Sequence, residues 1–384
     1  MNLFQIIAAS LAGLSLGLLL WQWLAARRFP LHQPAAVPGF APAITLIKPL
    51  KGCDATTAAS LHSWFRQEYA GPVQLLLGVA DAADPVGAVA RKLLEQFPGR
   101  DAQFVVCAEA RGASGKVSKL IQLERLAKHE LVLVSDADVR VPPDFLANVV
   151  APLRDDRTGL VSCFYRLANP VTAAMRCEAV AVNADFWSQV LQAVTLKPLD
   201  FALGAAMLVR RRALEEIGGF TALADCLADD YQLGHRLARR GYRLALCPTV
   251  VECWDQPTAW RGVWRHQLRW ARTIRVSQPF PYFFSILSNA TLWPLLWLAV
   301  ALISGPASYF TCLAPAGLLV RMAVARNLQR RLTPERRLVS PFWLVPVKDL
   351  LHAAIWLGAF MGNTVEWRGQ QMRLRRDGTL VEVK

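Results

Sequence analysis

Apolar residues fall into two patterns along the chain. Residues 3–26 contain no charged side chain, and long apolar runs return only after residue 285. Between them, short apolar runs alternate with amphipathic stretches. The short runs predict strands at 44–49, 73–80, 103–108 and 131–135, and the amphipathic stretches predict helices at 55–68, 86–97 and 116–128. Continuously apolar strands separated by helices specify an α/β domain with a mostly parallel sheet covered on both faces. Two further helices follow, at 232–240 and 260–275. In the second, Trp260, Trp264, Leu268, Ala271 and Ile274 share one face, and Arg261, Arg265, Arg269, Arg272 and Arg275 share another. A basic amphipathic helix of this kind is expected to lie in a membrane interface.

The run at 3–26 is long enough to cross a bilayer, which takes about 20 apolar residues. It ends in Trp21-Gln22-Trp23 and Arg27-Arg28, an aromatic belt and a basic flank that predict an anchor followed by a cytoplasmic domain. Runs at 286–304 and 308–320 flank Gly305-Pro306 and predict a hairpin of membrane helices, followed by a basic stretch at 326–331. A third run, 341–365, is interrupted by Pro346, Lys348 and Asp349. Because charge inside a bilayer is costly, it fits a short span, a re-entrant segment or an interfacial helix. The expected organisation is therefore an anchor at 1–26, a catalytic domain at 27–256, the interfacial helix at 257–280, a membrane region at 281–367 and a basic tail at 368–384.

Composition narrows the class. With 54% apolar and 19% charged residues, the chain has too much apolar surface to remain disordered. The apolar residues do not repeat as successive long runs, which argues against a polytopic transporter. The formal charge of +14 comes from 43 Lys/Arg against 29 Asp/Glu, and half of it lies beyond residue 280. That distribution favours an anionic membrane surface and a phosphorylated substrate as partners, and removes nucleic acid. The eight cysteines form no CxxC pair, so free thiols in a reducing compartment are expected.

Ligands of open α/β sheets bind beyond the carboxyl ends of the strands. Asp81 follows the second strand, and Asp136-Ala137-Asp138 follows the fourth. Paired carboxylates there suit a hard divalent cation, Mg²⁺ or Mn²⁺, shared with a diphosphate. Helix capping is the competing reading for Asp84 and Asp144. Asp229-Asp230 opens a helix, where two acids either do chemistry or complement the dipole. Gly204 marks either a close backbone approach to a substrate or a strand bulge.

Taken in order, Asp81, Asp136-x-Asp138, Asp230 and Gln267-Leu268-Arg269-Trp270 resemble the D, DxD, D, QxxRW pattern of membrane glycosyltransferases of the GT-A class. Ile47-Lys48-Pro49-Leu50-Lys51-Gly52, Trp64-Phe65-Arg66-Gln67-Glu68-Tyr69 and Gly112-Ala113-Ser114-Gly115-Lys116-Val117 narrow the likeness to the ceramide glucosyltransferase family, over residues 43–275. The resemblance implies a nucleotide-sugar-binding sheet, a UDP-sugar donor, a divalent metal and inversion at the anomeric carbon. It implies that Asp81, Lys116, Asp136 and Arg269 bind the donor, and that Asp136 and Asp138 hold the metal. Asp230 would act as general base, with Gly204, Gln267 and Trp270 on the acceptor side. Two departures from the animal enzymes follow: the acid at Asp138 brings metal handling closer to the wider superfamily, and the absence of His in 179–199 argues against a sphingolipid acceptor. As a short, Ala/Arg-rich chain it is similar to a bacterial branch of the family acting on hopanoids. That branch implies transfer of N-acetylglucosamine to bacteriohopanetetrol at the inner membrane. A ceramide glucosyltransferase using UDP-glucose, a processive polysaccharide synthase and a non-catalytic anionic-lipid-binding protein are the alternatives.

Overall fold

The computed structural model describes residues 3–303, 313–335, 339–367, 370–375 and 377–382. The chain opens with helix α1 (Leu3–Arg28) and continues through β1 (Ile44–Pro49), α2 (Thr57–Phe65), β2 (Val73–Val79), α3 (Val86–Gln96), β3 (Asp101–Val106), α4 (Gly115–Glu124) and β4 (Leu131–Ser135). Next come β5 (Val139–Arg140), α5 (Phe145–Val150), β6 (Thr158–Leu167), α6 (Ala173–Val180), α7 (Trp187–Val194), β7 (Ala206–Arg210), α8 (Arg211–Glu216), α9 (Asp229–Arg239) and β8 (Arg243–Cys253). A single π-helical turn, Ala181–Phe186, joins α6 to α7.

These strands form one sheet in the order β3-β2-β1-β4-β7-β6-β8-β5. Strands β1 to β4 are mutually parallel where they pair. The sheet as a whole is mixed, because β7 runs against both β4 and β6, and β5 runs against β8. The reversal at β7 has a consequence for the site: it sets Ala206 opposite Ser135, so the chain entering β7 passes beside the residues leaving β4. Period-2 alternation divides the core. Ile47, Leu76, Val132 and Val134 pack towards α4 and α7, while Leu46, Leu75, Leu77 and Leu133 pack towards α2, α3 and α5.

After the sheet come α10 (Trp260–Ser277), α11 (Pro279–Phe284), α12 (Leu292–Ile303), α13 (Leu313–Leu332) and α14 (Leu344–Phe360), then strands β9 (Thr364–Trp367), β10 (Gln370–Leu374) and β11 (Leu380–Glu382). Several expectations change here. By length and apolarity, α1 can cross a membrane alone, and Pro279–Ser288 with Leu292–Ile303 qualifies only as a pair bent by 51°. The turn expected at Gly305-Pro306 lies outside the described residues. The basic stretch at 326–331 forms the end of α13. The expected basic tail folds into β10 and β11, with Leu380 N–H donating to the Asp225 carbonyl at 2.8 Å. All described cysteines are free, and only Cys53 among them is exposed.

The anchor does not stand apart from the domain. Ala8, Ala12, Ser15, Leu19, Gln22 and Ala26 form its buried face, and small residues there let neighbouring helices approach closely. Gln22 donates to Ser188 Oγ at 2.5 Å, and Trp23 Nε1 donates to Asn327 Oδ1 at 2.9 Å. Arg331 donates to the Arg27 and Phe29 carbonyls, both at 3.3 Å, satisfying acceptors that the end of α1 leaves open. The two basic ends, 27–28 and 326–331, therefore lie together.

The charges that interrupt the run at 341–365 are buried in an ionic cluster. Arg321 on α13 makes paired hydrogen bonds to Asp185 in the π-turn (3.0 and 2.8 Å) and to Asp349 on α14 (both 2.8 Å). Lys348 bonds to Asp185 and, at 2.6 Å, to Asp349, which also accepts from Thr291 Oγ1 at 2.5 Å. Two cations thus balance two anions. Removing one member of such a cluster leaves an uncompensated buried charge, at a cost of about 3–5 kcal/mol. Asp185→Ala is therefore expected to lower thermal stability sharply, and adding Lys348→Met, which restores the balance, to recover much of it. Equal melting temperatures for the single and double variants in detergent would refute this account.

Candidate active site

The site gathers at the carboxyl end of β4. Asp136 N–H donates to the Ala205 carbonyl at 3.2 Å, and Trp254 N–H donates to the Asp138 carbonyl at 3.2 Å. The Asp136–Asp138 loop is thereby pinned between the start of β7 and the end of β8. From below, the fully buried Lys48 of β1 donates to the Asp136 carbonyl at 2.6 Å and to Ser135 Oγ at 3.2 Å. Burial pulls the Lys48 ammonium down to about 7, against the upward pull of Asp138 and Asp136.

Lys116, in the first turn of α4, links two acidic loops. Its Nζ lies 2.8 Å from Asp136 Oδ1 and 3.0 Å from Asp229 Oδ2. Burial opposes its charge, but Asp136, Asp229 and Asp230 prevail and hold it well above the usual lysine range. Asp138 is pushed up to about 7, first by burial and then by the charges of Asp136 and Asp255. Asp230 rises to about 6, first by burial and then by its neighbour Asp229, with Lys116 opposing. Its Oδ1 accepts from Tyr231 N–H at 2.7 Å. Its Oδ2 fills the space that a side chain at position 204 would occupy: a Cβ on Gly204 would sit 2.6 Å from it. Gly204 therefore makes room for the Asp230 carboxylate.

The other expected residues distribute as follows. Asp81 is exposed, and its Oδ1 accepts from Ala83 N–H at 2.9 Å. Asp84 caps the entry to α3, accepting from Val86 N–H and Gly52 N–H, both at 3.0 Å. Asp144 makes no such cap; its carboxylate takes the Asn148 amide at 2.9 Å. On α10, Gln267 is buried and donates to Glu178 Oε1 at 2.7 Å. Trp270 lies against His266, with ring centroids 4.6 Å apart, and against Phe186 at 6.2 Å. Arg269 precedes Trp270 and is engaged within the fold.

The apolar face of α10 is not free to lie in lipid. Trp264, Leu268 and Ala271 pack against Tyr282 and against Ile355, Trp356 and Ala359 of α14. Arg272 hydrogen bonds to the carbonyl of Thr364 at the start of β9, and Arg275 to Asn363 just before it. Part of the arginine stripe thus serves protein packing, while Arg261 and Arg265 stay exposed, and of the apolar face only Trp260 and Ile274 do.

Three residues escaped the sequence reading. Lys48 carried a faint signal as the one charge in an otherwise apolar strand. Asp229 was visible only as half of an acidic pair. Glu178, buried on α6 beside His266 and Gln267, had none, since no spacing ties it to α10.

Among the described residues, no three or more His, Cys, Asp or Glu side chains gather as a metal cage. The oxygen-only pair Asp136 and Asp138 fits a hard cation that completes its shell with substrate phosphates, the usual habit of Mg²⁺.

The chain matches the model for glycosyl transferase family 21 over residues 6–380. It is 24% identical to Ceramide glucosyltransferase 3 of Caenorhabditis elegans, over 57% of this chain and 48% of that protein. It is 27% identical to Beta-monoglucosyldiacylglycerol synthase of Synechocystis sp., over 50% of this chain and 39% of that protein. The chain thus aligns with less than half the length of these curated relatives. Its fold is similar to that of a mannosyltransferase from Pyrobaculum calidifontis, solved in complex with GDP-Man and Mn²⁺. That match has a TM-score of 0.54 and 25% identity, and covers 91% of this chain and 99% of the other. A GT-A-like sheet with carboxylates at its strand ends, and a family match over nearly the whole length, give one conclusion: the chain belongs to glycosyl transferase family 21.

Proposed function

We propose that this protein moves a single sugar from a UDP-sugar to a membrane-lipid hydroxyl, with inversion at the anomeric carbon. The observation that carries the reading is the Asp230 carboxylate, seated on Gly204 beside the Lys116-linked pair Asp136 and Asp229. Asp230 accepts the acceptor's hydroxyl proton; the oxygen bonds to the anomeric carbon, and the bond to the UDP phosphate oxygen breaks on the opposite face. A base of this kind contributes about 10²–10⁴-fold. Arg269 meets the departing diphosphate, and fixed positive charge aimed at a developing anion lowers the barrier. Asp136 and Asp138 would hold a divalent cation, which when bound supplies charge neutralisation for that diphosphate. Asp81 serves the nucleotide base, while Gln267 and Trp270 border the acceptor entrance.

Relatives named for ceramide and for diacylglycerol support a lipid acceptor, and α1 supports residence in a membrane with the site on its cytoplasmic side. Our specific reading is N-acetylglucosamine transfer to bacteriohopanetetrol in a bacterial inner membrane; glucosylation of ceramide is the second reading. Lipid mass spectrometry decides between them, after incubation with Mg²⁺ or Mn²⁺, UDP-N-acetylglucosamine or UDP-glucose, and bacteriohopanetetrol, ceramide or diacylglycerol. A lipid carrying one sugar is expected. A polymer would point to processive synthesis, and no sugar release from any UDP-sugar would overturn the reading.

Asp230→Asn should lower the transfer rate by about 10²–10⁴-fold while UDP binding persists; an unchanged rate would remove Asp230 from the chemistry. Gly204→Ala should displace the same carboxylate and reduce kcat by about a hundredfold, the low end of that range, and full activity would show that the carboxylate need not occupy this position. The pH profile follows from the raised Asp230 value. A base works only when deprotonated, so kcat/KM should be flat above about pH 6 and fall towards tenfold per unit below it. An acid limb at the ordinary carboxylate value would contradict this assignment.

A further inference from the structure

Glu178 is a buried acid that the proposed transfer does not use. Its side chain is 8% exposed, and its Oε1 accepts from both His266 Nδ1 and Gln267 Nε2, each at 2.7 Å. Oε2 takes no hydrogen bond from the described residues, and no Lys or Arg among them pairs with this carboxylate. Two donors on one oxygen orient the group without consuming its second oxygen. An ionised carboxylate only accepts, so Nδ1 must donate in this bond and His266 keeps Nε2 for another partner, on a side chain that is 34% exposed.

The position of this pair ties it to the reaction centre. The His266 ring touches Trp270, Trp270 touches Phe186, and Phe186 lies 5.4 Å from Tyr165. The charges of Asp230, Asp136 and Glu178 all act on Tyr165. An aromatic row of His266, Trp270, Phe186 and Tyr165 therefore links the surroundings of Glu178 to those of the transfer carboxylates. Glu178 itself borders a small cavity, together with Asn169, Met175, Asp255 and Thr258. Asp255 in turn feels both His266 and Glu178, and it follows Trp254, which pins Asp138.

Because Glu178 lines that cavity, an oxygen that no described residue engages is placed where a ligand can supply a donor. A hydroxyl meets both groups at once, donating to Glu178 Oε2 and accepting from or donating to His266 Nε2. We propose that Glu178 and His266 form an acceptor subsite that reads a second hydroxyl on the lipid headgroup while the reacting hydroxyl faces Asp230. This rests on the lipid-transfer reading above and sharpens its substrate class: headgroups with at least two hydroxyls are favoured over those with one. Ceramide and bacteriohopanetetrol satisfy that requirement; diacylglycerol, whose single hydroxyl would be the reacting one, does not.

The test compares kcat/KM for short-chain ceramide, bacteriohopanetetrol and diacylglycerol, using the UDP-sugar that the wild-type protein accepts. Glu178→Gln and His266→Asn should each cut the preference for the polyhydroxylated lipid by about ten- to a hundredfold, the value of a hydrogen bond to a charged group. The change should appear in the acceptor KM, with the donor KM held, and Glu178→Asp should restore part of it. If Glu178→Gln fails to fold, the more exposed His266→Asn carries the same comparison. A uniform fall for all acceptors, with an unchanged preference, would overturn the subsite while leaving the transfer reading intact. If the wild-type protein glycosylates none of the three, the transfer reading itself falls, and the subsite with it.

Discussion

Like-charge crowding at the sheet's carboxyl end is the constraint on which the proposed donor side depends. Asp136, Asp138, Asp229 and Asp230 converge on one crevice, where two like charges about 4 Å apart repel by roughly 4 kcal/mol at an intermediate dielectric. Lys116 touches one member of each pair, Asp136 and Asp229, and so draws the start of α9 towards the end of β4. The backbone holds it there. Ser114 caps α4 through Val117 N–H, its own N–H donates to the Ala224 carbonyl at 3.0 Å, and Ala113 N–H donates to Asp225 Oδ1 at 2.9 Å. Gly112, at φ +82°, is where this loop crosses closest: a Cβ there would lie 2.7 Å from the Ala224 oxygen. The starts of α4 and α9 are therefore one unit, braced from outside by β11 on Asp225.

The proposed acceptor side depends on a second buried electrostatic device, organised by the π-turn. Three of its side chains reach three different parts of the molecule. Asn183 exchanges a pair of hydrogen bonds with the Leu167 backbone at the end of β6 (2.9 and 3.1 Å). Asp185 enters the Arg321–Lys348–Asp349 cluster, and Phe186 meets Trp270. An extra residue in a helical turn rotates the following side chains, and such turns recur at functional sites. Burying four charges yields little net stability over an apolar packing, but a mismatched arrangement is heavily penalised. The cluster therefore acts more as a register pin than as a source of stability. It fixes where α13 and α14 sit against the sheet domain, and hence where α10 presents Trp270.

Much of the donor side was legible in the sequence because strand ends are local features. The apolar runs at 44–49 and 131–135 coincide with β1 and β4, and the acids after them fall where an open α/β sheet binds ligands. What could not be read depended on long-range pairing. The antiparallel insertion of β7 is invisible in a short apolar run that looks like any buried strand, yet it brings Gly204 to Asp230. The partnership of Lys116 with two loops separated by more than ninety residues has no signature in spacing. At the other end of the chain, the charges at 348 and 349 read as obstacles to a membrane span, whereas their partners Asp185 and Arg321 lie far away in sequence. The terminal residues read as a basic tail because two short strands of mixed polarity give no strong period.

The same geometry reassigns the basic excess and indicates how two unlike substrates reach one centre. Arg272 and Arg275 bind Thr364 and Asn363 at the entry to β9, Arg321 sits in the cluster, Arg331 closes the end of α1, and Arg166 pairs with Glu252 and Glu335 at 2.5 Å. These charges organise the protein and are not a continuous surface for lipid phosphates. What faces outward beside α10 is apolar: Phe280, Phe283, Phe284, Trp343, Leu357 and Met361 are all more than half exposed. An exposed apolar surface of this kind marks a contact with lipid or another apolar partner. Trp343 and Leu357 sit at the start of α14 and within it, and α14 packs against α10 at Trp264 and Leu268. In the proposed reaction the lipid meets this apolar surface and the nucleotide sugar meets the carboxyl end of the sheet. The charged diphosphate therefore need not enter the apolar surface.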